Sequence, residues 1–364
     1  MELQYQIALT MVEGVGPIIA KNLISYCGSA SAVFKSKKST LLKIPDIGHV
    51  TANAVMAFKD FEKAESEANF IEKHKIKAHF YASKDYPYRL KSTIDCPVIL
   101  YQLGDANLNA EKVIGIVGTR KPTEYGRNFC EKLIDDLSGT GVSIISGMAY
   151  GIDVCGHKAA LKNNLPTIGV LAHGLDRLYP ADHKKHAQAM LSSNGGLLTE
   201  FLSGTNPDRE NFPKRNRIVA GMCDALVVVE TGLRGGSMIT AELAWQYDRT
   251  LMALPGRNSD EKSAGCNYLI KTNRAEMIES ANDLMTSLGW DTPTKKSNIQ
   301  RTLPLDLTIE ERLLLDLFKI KNVMEIDEII RLAAISSSKA ALTLLDLEFQ
   351  GYIKTLPGKR FQLL

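Results

Sequence analysis

An α/β fold is predicted for this chain: a doubly wound, mostly parallel sheet between an N-terminal helical module and a C-terminal winged helix. Three patterns predict it. Short apolar runs alternate with helix-length segments through the middle of the chain. Glycine-turned helices precede them, and three helical periods with a final strand pair follow. The expected division is 1–80 helical, 81–288 sheet-containing, 289–307 linker and 308–364 winged helix.

In residues 1–80, Ile7, Leu9, Met11 and Val12 lead into Gly14-Val15-Gly16-Pro17 and then Ile18, Ile19 and Leu23. A degraded copy follows at Ile44-Pro45-Asp46-Ile47-Gly48. Glycine turns between helices resemble a helix-hairpin-helix (SAM-like) module. It could offer backbone N–H groups to a phosphate or serve only as a packing domain, because glycine at a helix end is also purely conformational.

The strands are read at Val113–Val117, Val142–Ile145, Thr167–Leu171, Gly196–Leu198, Leu226–Val229 and Leu251–Leu254. Helices are read at 124–138, 153–163, 183–193, 214–221 and 238–247, which gives the βαβ rhythm of right-handed crossovers. Residues 76–101 could add strands. Gly289, Pro293, Lys295, Lys296 and Pro304 mark the linker. Helical periods near 309–319, 325–334 and 337–350, with two short strands flanking Pro357-Gly358, form the winged helix.

Composition narrows the function. The chain has 364 residues, 45% hydrophobic and 23% charged, and 44 basic against 41 acidic residues give a net charge of +3. That is too little for a uniform basic coat, so a polyanion must meet a local cluster. The six cysteines form no C-x-x-C pair, so no zinc knuckle or disulfide framework is expected. No apolar run approaches a membrane span and no leader pattern opens the chain, so a cytoplasmic protein without membrane contact is expected.

Ligands of an open α/β sheet sit at the carboxyl ends of its strands. The loops there are Gly118-Thr119-Arg120, Ser146-Gly147-Met148-Ala149 and His173-Gly174-Leu175-Asp176, the last leading to Tyr179-Pro180. Glycine N–H groups before a helix favour an anion, and an arginine fork suits phosphate. Lys214, Arg215 and Arg217 open a helix beside Asn216, against its dipole, which points to a bound anion or to a solvated turn with Asp208 or Glu210. Ser237, after Gly235-Gly236, could cap a helix or ligate phosphate. Asp153 and His157 could be an acid/base pair or a simple contact. His173, His183 and His186 read as loop or surface residues. G-x-G-x-x-G, G-x-x-x-x-G-K-[ST], G-x-S-x-G and H-E-x-x-H are all absent, so dehydrogenase, P-loop, hydrolase-elbow and zincin readings fall. No cofactor, metal site or catalytic residue is expected. Residues 308–364 carry eight basic and eight acidic side chains, and helix 337–350 sets Lys339 against Asp346 and Glu348. This suits protein contact better than duplex reading.

Taken in order, Ile116-Val117-Gly118-Thr119-Arg120, Ser146 to Asp153, Gly174-Leu175-Asp176 with Tyr179-Pro180, Phe212 to Ile218, Gly236 to Ala241 and Leu254-Pro255-Gly256 closely resemble the DNA-processing protein A (DprA/Smf) family. The resemblance spans about Tyr86 to Ala275 and implies an extended Rossmann-like domain. It implies binding and protection of single-stranded DNA, loading of the RecA recombinase during natural transformation, a homodimer through the Rossmann-like domain, and no turnover. By the same resemblance Gly118, Thr119, Arg120, Ser146, Gly147, Lys214, Arg215 and Arg217 would line the DNA pocket. Some relatives carry a basic residue just after Tyr-Pro. Ala181-Asp182 stand there in this chain, so Lys184 or Lys185 would supply that charge.

The rival reading is a nucleoside-monophosphate N-glycosidic hydrolase resembling the lysine-decarboxylase-like superfamily. Its signature would be Gly235-Gly236-Ser237 with Thr240 and Glu242, the last assisting cleavage with Asp153 and His157 nearby. A transcription regulator acting through the winged helix is a third reading.

Overall fold

A computed structural model describes residues 2–290, 307–356 and 358–364; most of the expected linker and Pro357 of the expected wing turn lie outside the described residues. The N-terminal segment is six helices: α1 (Glu2–Met11), α2 (Pro17–Cys27), α3 (Ala30–Lys35), α4 (Lys38–Leu41), α5 (His49–Ala57) and α6 (Phe61–Lys73). Pro17 opens α2, where a missing N–H costs nothing. Gly28 closes it at φ 89° with its N–H on the Ile24 carbonyl. These helices bury Ile7, Leu9, Leu23 and Leu41 together with Val98, Ile99 and Tyr101. The helical module therefore shares one core with the edge of the sheet, and residue 80 is not a boundary between cores.

The chain continues through β1 (Lys77–Phe80), α7 (Tyr88–Lys91), β2 (Ile99–Gly104), β3 (Val113–Val117), α8 (Glu124–Asp136), β4 (Ser143–Gly147), α9 (Ile152–Lys162) and β5 (Thr167–Val170). Next come α10 (Lys184–Ser192), β6 (Gly196–Thr199), α11 (Asn211–Met222), β7 (Ala225–Val228), α12 (Gly236–Gln246), β8 (Thr250–Ala253), α13 (Ala264–Lys271), β9 (Glu276–Met277) and α14 (Ala281–Ser287). The nine strands lie in the order β1-β2-β6-β5-β4-β3-β7-β8-β9. β3 to β9 pair in parallel, and β1 and β2 add an antiparallel edge. The six expected strands are present, and the possible strands in 76–101 are β1 and β2.

Alternation along β3 shows why helices cover both faces. Ile114 and Ile116 pack with α8 and α9 through Cys130, Ile134, Ile152 and Ala160. Val113 and Val117 face the opposite way, into a core with Ile218, Val219 and Met222 of α11 and Ala241 of α12. The chain runs outward from β3 in one direction through β4 to β6, then returns beside β3 as β7 and runs the other way. The loops after β3, β4 and β5 therefore converge with the start of α11, the crossover helix.

The C-terminal domain comprises α15 (Ile309–Ile320), β10 (Val323–Glu325), α16 (Ile326–Ala333), α17 (Ser337–Phe349), β11 (Ile353–Leu356) and β12 (Arg360–Leu363). Its strands are ordered β10-β12-β11 around Leu314, Phe318, Ile329, Leu344 and Leu347. This is the expected winged helix with one added strand. Thr308 and Glu311 form a capping box at the start of α15.

Candidate nucleic-acid interface

The loops after β3, β4 and β5 and the start of α11 enclose a small open pocket lined by Arg120, Met148, Tyr150, Tyr179, Phe212 and Arg215, among others. Arg120 is exposed, with its guanidinium carbon 5.6 Å from the centre of the Phe212 ring. Tyr179 meets the same ring edge-on at 6.3 Å between centroids. One rim thus carries a cation and stacking surfaces together, a combination suited to a strand with a phosphate and a base at each step.

Beneath this rim lies Arg215, 5% exposed. Its Nη1 donates to the Val170 carbonyl and its Nε to Asn216 Oδ1 at 3.1 Å. Asp153 supplies the opposing charge, and burial together with the nearby Arg120 lowers the Arg215 pKa. Asp153 accepts from the Ala149 N–H at 3.4 Å. Burial pushes its carboxyl up to about 6, against the pull of Arg215, the Ala149 N–H, Arg120 and Ser146. Gly147 is required at this point, because a side-chain carbon on it would overlap both the Arg215 guanidinium and the Asp153 carboxylate.

The Thr119 loop is fastened from behind. Its N–H donates to the Glu230 carbonyl at 2.6 Å, and its own carbonyl accepts from Ile152 N–H at 3.2 Å. Gly151, at φ 84°, passes so near the Thr119 carbonyl that a side chain there would collide with it. Glu230 is buried and accepts from the N–H and the hydroxyl of Thr123 at the N-cap of α8. No sequence motif marks this carboxylate. Its only sign was a lone acidic residue directly after an apolar strand.

The structure brings some expected site residues to the pocket and not others. Arg120 and Arg215 line it, and Gly118, Thr119 and Gly147 shape its loops. Lys214 is exposed in the first turn of α11, while Lys184 and Lys185 are exposed at the start of α10. Arg217 corrects the sequence expectation: it is 9% exposed, with Nη1 on the Asp95 carbonyl and Nη2 on Glu200. Two residues along a helix turn a side chain by about 200°, so Arg215 and Arg217 cannot share one face. Ser146 is buried within the sheet, and its hydroxyl donates to the Ile116 carbonyl. Ser237 is buried at the start of α12 and is not among the residues lining the pocket.

Asp153 and His157 are not hydrogen-bonded to each other; each serves a backbone partner. His157 Nε2 lies 2.6 Å from the Gly147 carbonyl, so this nitrogen carries the proton, and Nδ1 accepts from the Thr167 hydroxyl at 2.7 Å. Burial lowers its pKa to about 4 and leaves it neutral. His173 and His183 are likewise buried rather than on the surface: His173 bridges Gly174 and Tyr179, and His183 reaches the Met148 carbonyl at 2.9 Å. Glu242, which the hydrolase reading would use, pairs with Arg274 at 2.6 Å and is not among the residues lining this pocket. Among the described residues no His, Cys, Asp and Glu cluster could hold a metal, and no helix is long and apolar enough to cross a membrane.

The sequence and the fold have counterparts in known proteins. The family model for DNA recombination-mediator protein A matches residues 77–289, and that for the DprA winged helix domain matches 300–359. Protein Smf of Synechocystis sp. is 31% identical, with 99% of this chain and 98% of the relative aligned. The X-ray structure of DNA processing protein A from Streptococcus pneumoniae superposes with a TM-score of 0.63 at 28% identity, covering 78% of this chain and 95% of that one. DNA processing protein A from Helicobacter pylori, solved for its single-stranded DNA binding mode, superposes with a TM-score of 0.54 at 29% identity, over 60% of this chain and 97% of that one. The chain belongs to the DNA recombination-mediator protein A family, with a Rossmann-like sheet domain and a C-terminal winged helix.

Proposed function

We propose that this chain binds and protects single-stranded DNA in the pocket at the carboxyl edge of its sheet and performs no turnover there. The observation that carries the reading is the Arg120 guanidinium set over Phe212 at the pocket mouth, with Tyr150 and Tyr179 beside it. Arg120 and the exposed Lys214 and Lys184 would meet phosphates, and bases would stack on the rings with little reading of their edges. Arg215, held under Gly147, would add positive potential to the floor. Arg217 is left out, since Glu200 already occupies it. A relative solved for its single-stranded DNA binding mode supports the same ligand class.

Family membership extends the proposal. The bound strand would be handed to RecA during recombination, including natural transformation, by a homodimer formed through the Rossmann-like domain in the cytoplasm. The test is equilibrium binding to labelled single-stranded and double-stranded oligonucleotides of equal length at two salt concentrations. The single strand should bind more tightly and lose affinity with salt. Equal or greater affinity for duplex would overturn the reading and redirect attention to the winged helix.

A further inference from the structure

Helix α17 stands where a winged helix presents its base-reading face, yet its outward side is apolar. Ala340, Thr343, Leu344 and Leu347 are buried in the domain. On the opposite side Leu342, Leu345 and Phe349 are 64%, 47% and 82% exposed. From Ser338 through these three the spacing is four, three and four residues, the a/d step of a coiled-coil seam, so all four lie on one line. Apolar side chains scattered singly over a surface need no explanation, but a contiguous line of them does.

We propose that this seam pairs with the same seam of a second copy of the chain, antiparallel about a two-fold axis. Charge selects both the occupant and the direction. Lys339 and Asp346 are seven residues apart and flank the seam on the same side. In an antiparallel pair, with Leu342 opposite Leu345 of the partner subunit, that flank meets itself reversed. Lys339 then faces Asp346 of the partner subunit, and symmetry repeats the pair. A parallel pair sets Lys339 and Asp346 against the other flank, which holds Ala341 and Glu348 and has no cation. Glu348 is already engaged by the Thr355 N–H at 2.7 Å and its hydroxyl at 2.8 Å.

Lys339 also reaches Glu310 at 2.6 Å within the domain, but the two side chains are 53% and 38% exposed and a solvent-accessible pair is worth little, so it can be shared. Nucleic acid is a poorer occupant. Lys339 is the single cation on α17, and phosphates laid on Leu342, Leu345 and Phe349 would lose water without gaining a counter-charge. A pair of 13-residue helices buries less than a standard interface, so this association is weak and concentration-dependent. The surface lies on the winged helix and is independent of the DNA pocket and of any dimer made by the sheet domain.

Sedimentation velocity of the full chain over a wide concentration range tests the proposal, with Leu345→Asp, Lys339→Glu, Asp346→Lys and the double charge reversal compared at unchanged thermal stability. The parent should show a concentration-dependent step. Leu345→Asp should abolish that step, and each single reversal should move its midpoint upward roughly tenfold or more, the scale of like charges juxtaposed in an interface. The double reversal should restore it. If the sheet domain also dimerises, the affected step is the one above that dimer, which must survive Leu345→Asp. A Leu345→Asp chain that associates like the parent overturns the proposal, as does a parent with no such step. Single reversals that weaken association without rescue by the double overturn the antiparallel register.

Discussion

Arg360, on the last strand of the winged helix, donates through Nη2 to Asp224 Oδ1 at 2.6 Å, and so enters the core of the sheet domain. Asp224 is already held there by Arg89, with Nε and Nη2 each at 2.8 Å from one of its oxygens, and it accepts from the Val113 N–H at 2.9 Å. One buried carboxylate thus gathers two arginines far apart in the sequence and the start of the central strand.

The consequence is an asymmetry between partners. Asp224→Ala leaves Arg89 buried without its counter-charge and should lower stability by about 3–5 kcal/mol. Arg360→Ala leaves the Arg89 pair intact and should cost far less, while loosening the winged helix from the sheet. Thermal denaturation ranks the two, and faster hydrogen exchange across Gly358 to Leu363 in Arg360→Ala reads the loosening. Equal losses of stability would contradict the asymmetry.

Arg120 and Arg217 should separate in the same pair of assays. Arg120→Ala should weaken single-strand binding at every sequence and lower the salt slope by about one, with the melting temperature unchanged. Arg217→Ala should instead destabilise the fold, on the order of 3 kcal/mol, because Glu200 loses the cation that opposes its burial-raised pKa. A salt slope reduced in Arg217→Ala at full stability would return that residue to the DNA surface.

Asp153 and His157 should give pH dependences of opposite sign. The folded-state pKa of Asp153 is about 6, above its ordinary 3.8, so the folded chain holds a proton that the unfolded chain has lost between those values. The stability this residue contributes therefore falls as pH rises from about 4 to about 6, then levels. For His157 the folded value, about 4, lies below the ordinary 6.5, so its contribution is lost as pH falls through that window. The melting-temperature difference between the parent chain and Asp153→Asn should shrink with rising pH, and that for His157→Gln should grow. Parallel trends in the two variants would refute the assignment.

Gly147→Ala places a methyl group against the Arg215 guanidinium and the Asp153 carboxylate. It should cost about 1–3 kcal/mol by overpacking and distort the pocket floor, so binding falls along with stability. Gly236, with open space around it, should accept alanine with little effect on either measurement.

The amino-acid sequence determined the central strands, because runs such as Val113 to Val117 are apolar on both faces and only a helix-covered parallel sheet buries both. It also determined the converging loops, whose glycines and arginines mark the edge proposed here to meet phosphate, and the three-helix rhythm of the winged domain. Tertiary structure decided what each cation does. Arg120, Arg215 and Arg217 carry the same charge in sequence, but one is exposed over Phe212, one lies beneath Gly147, and one is turned inward to Glu200. Helix phase and the elements packed across it made that choice, and both depend on residues far away in the chain. The same holds for the helical module: its core closes only with Val98 and, on β2, Ile99 and Tyr101, a long-range contact that no local period encodes.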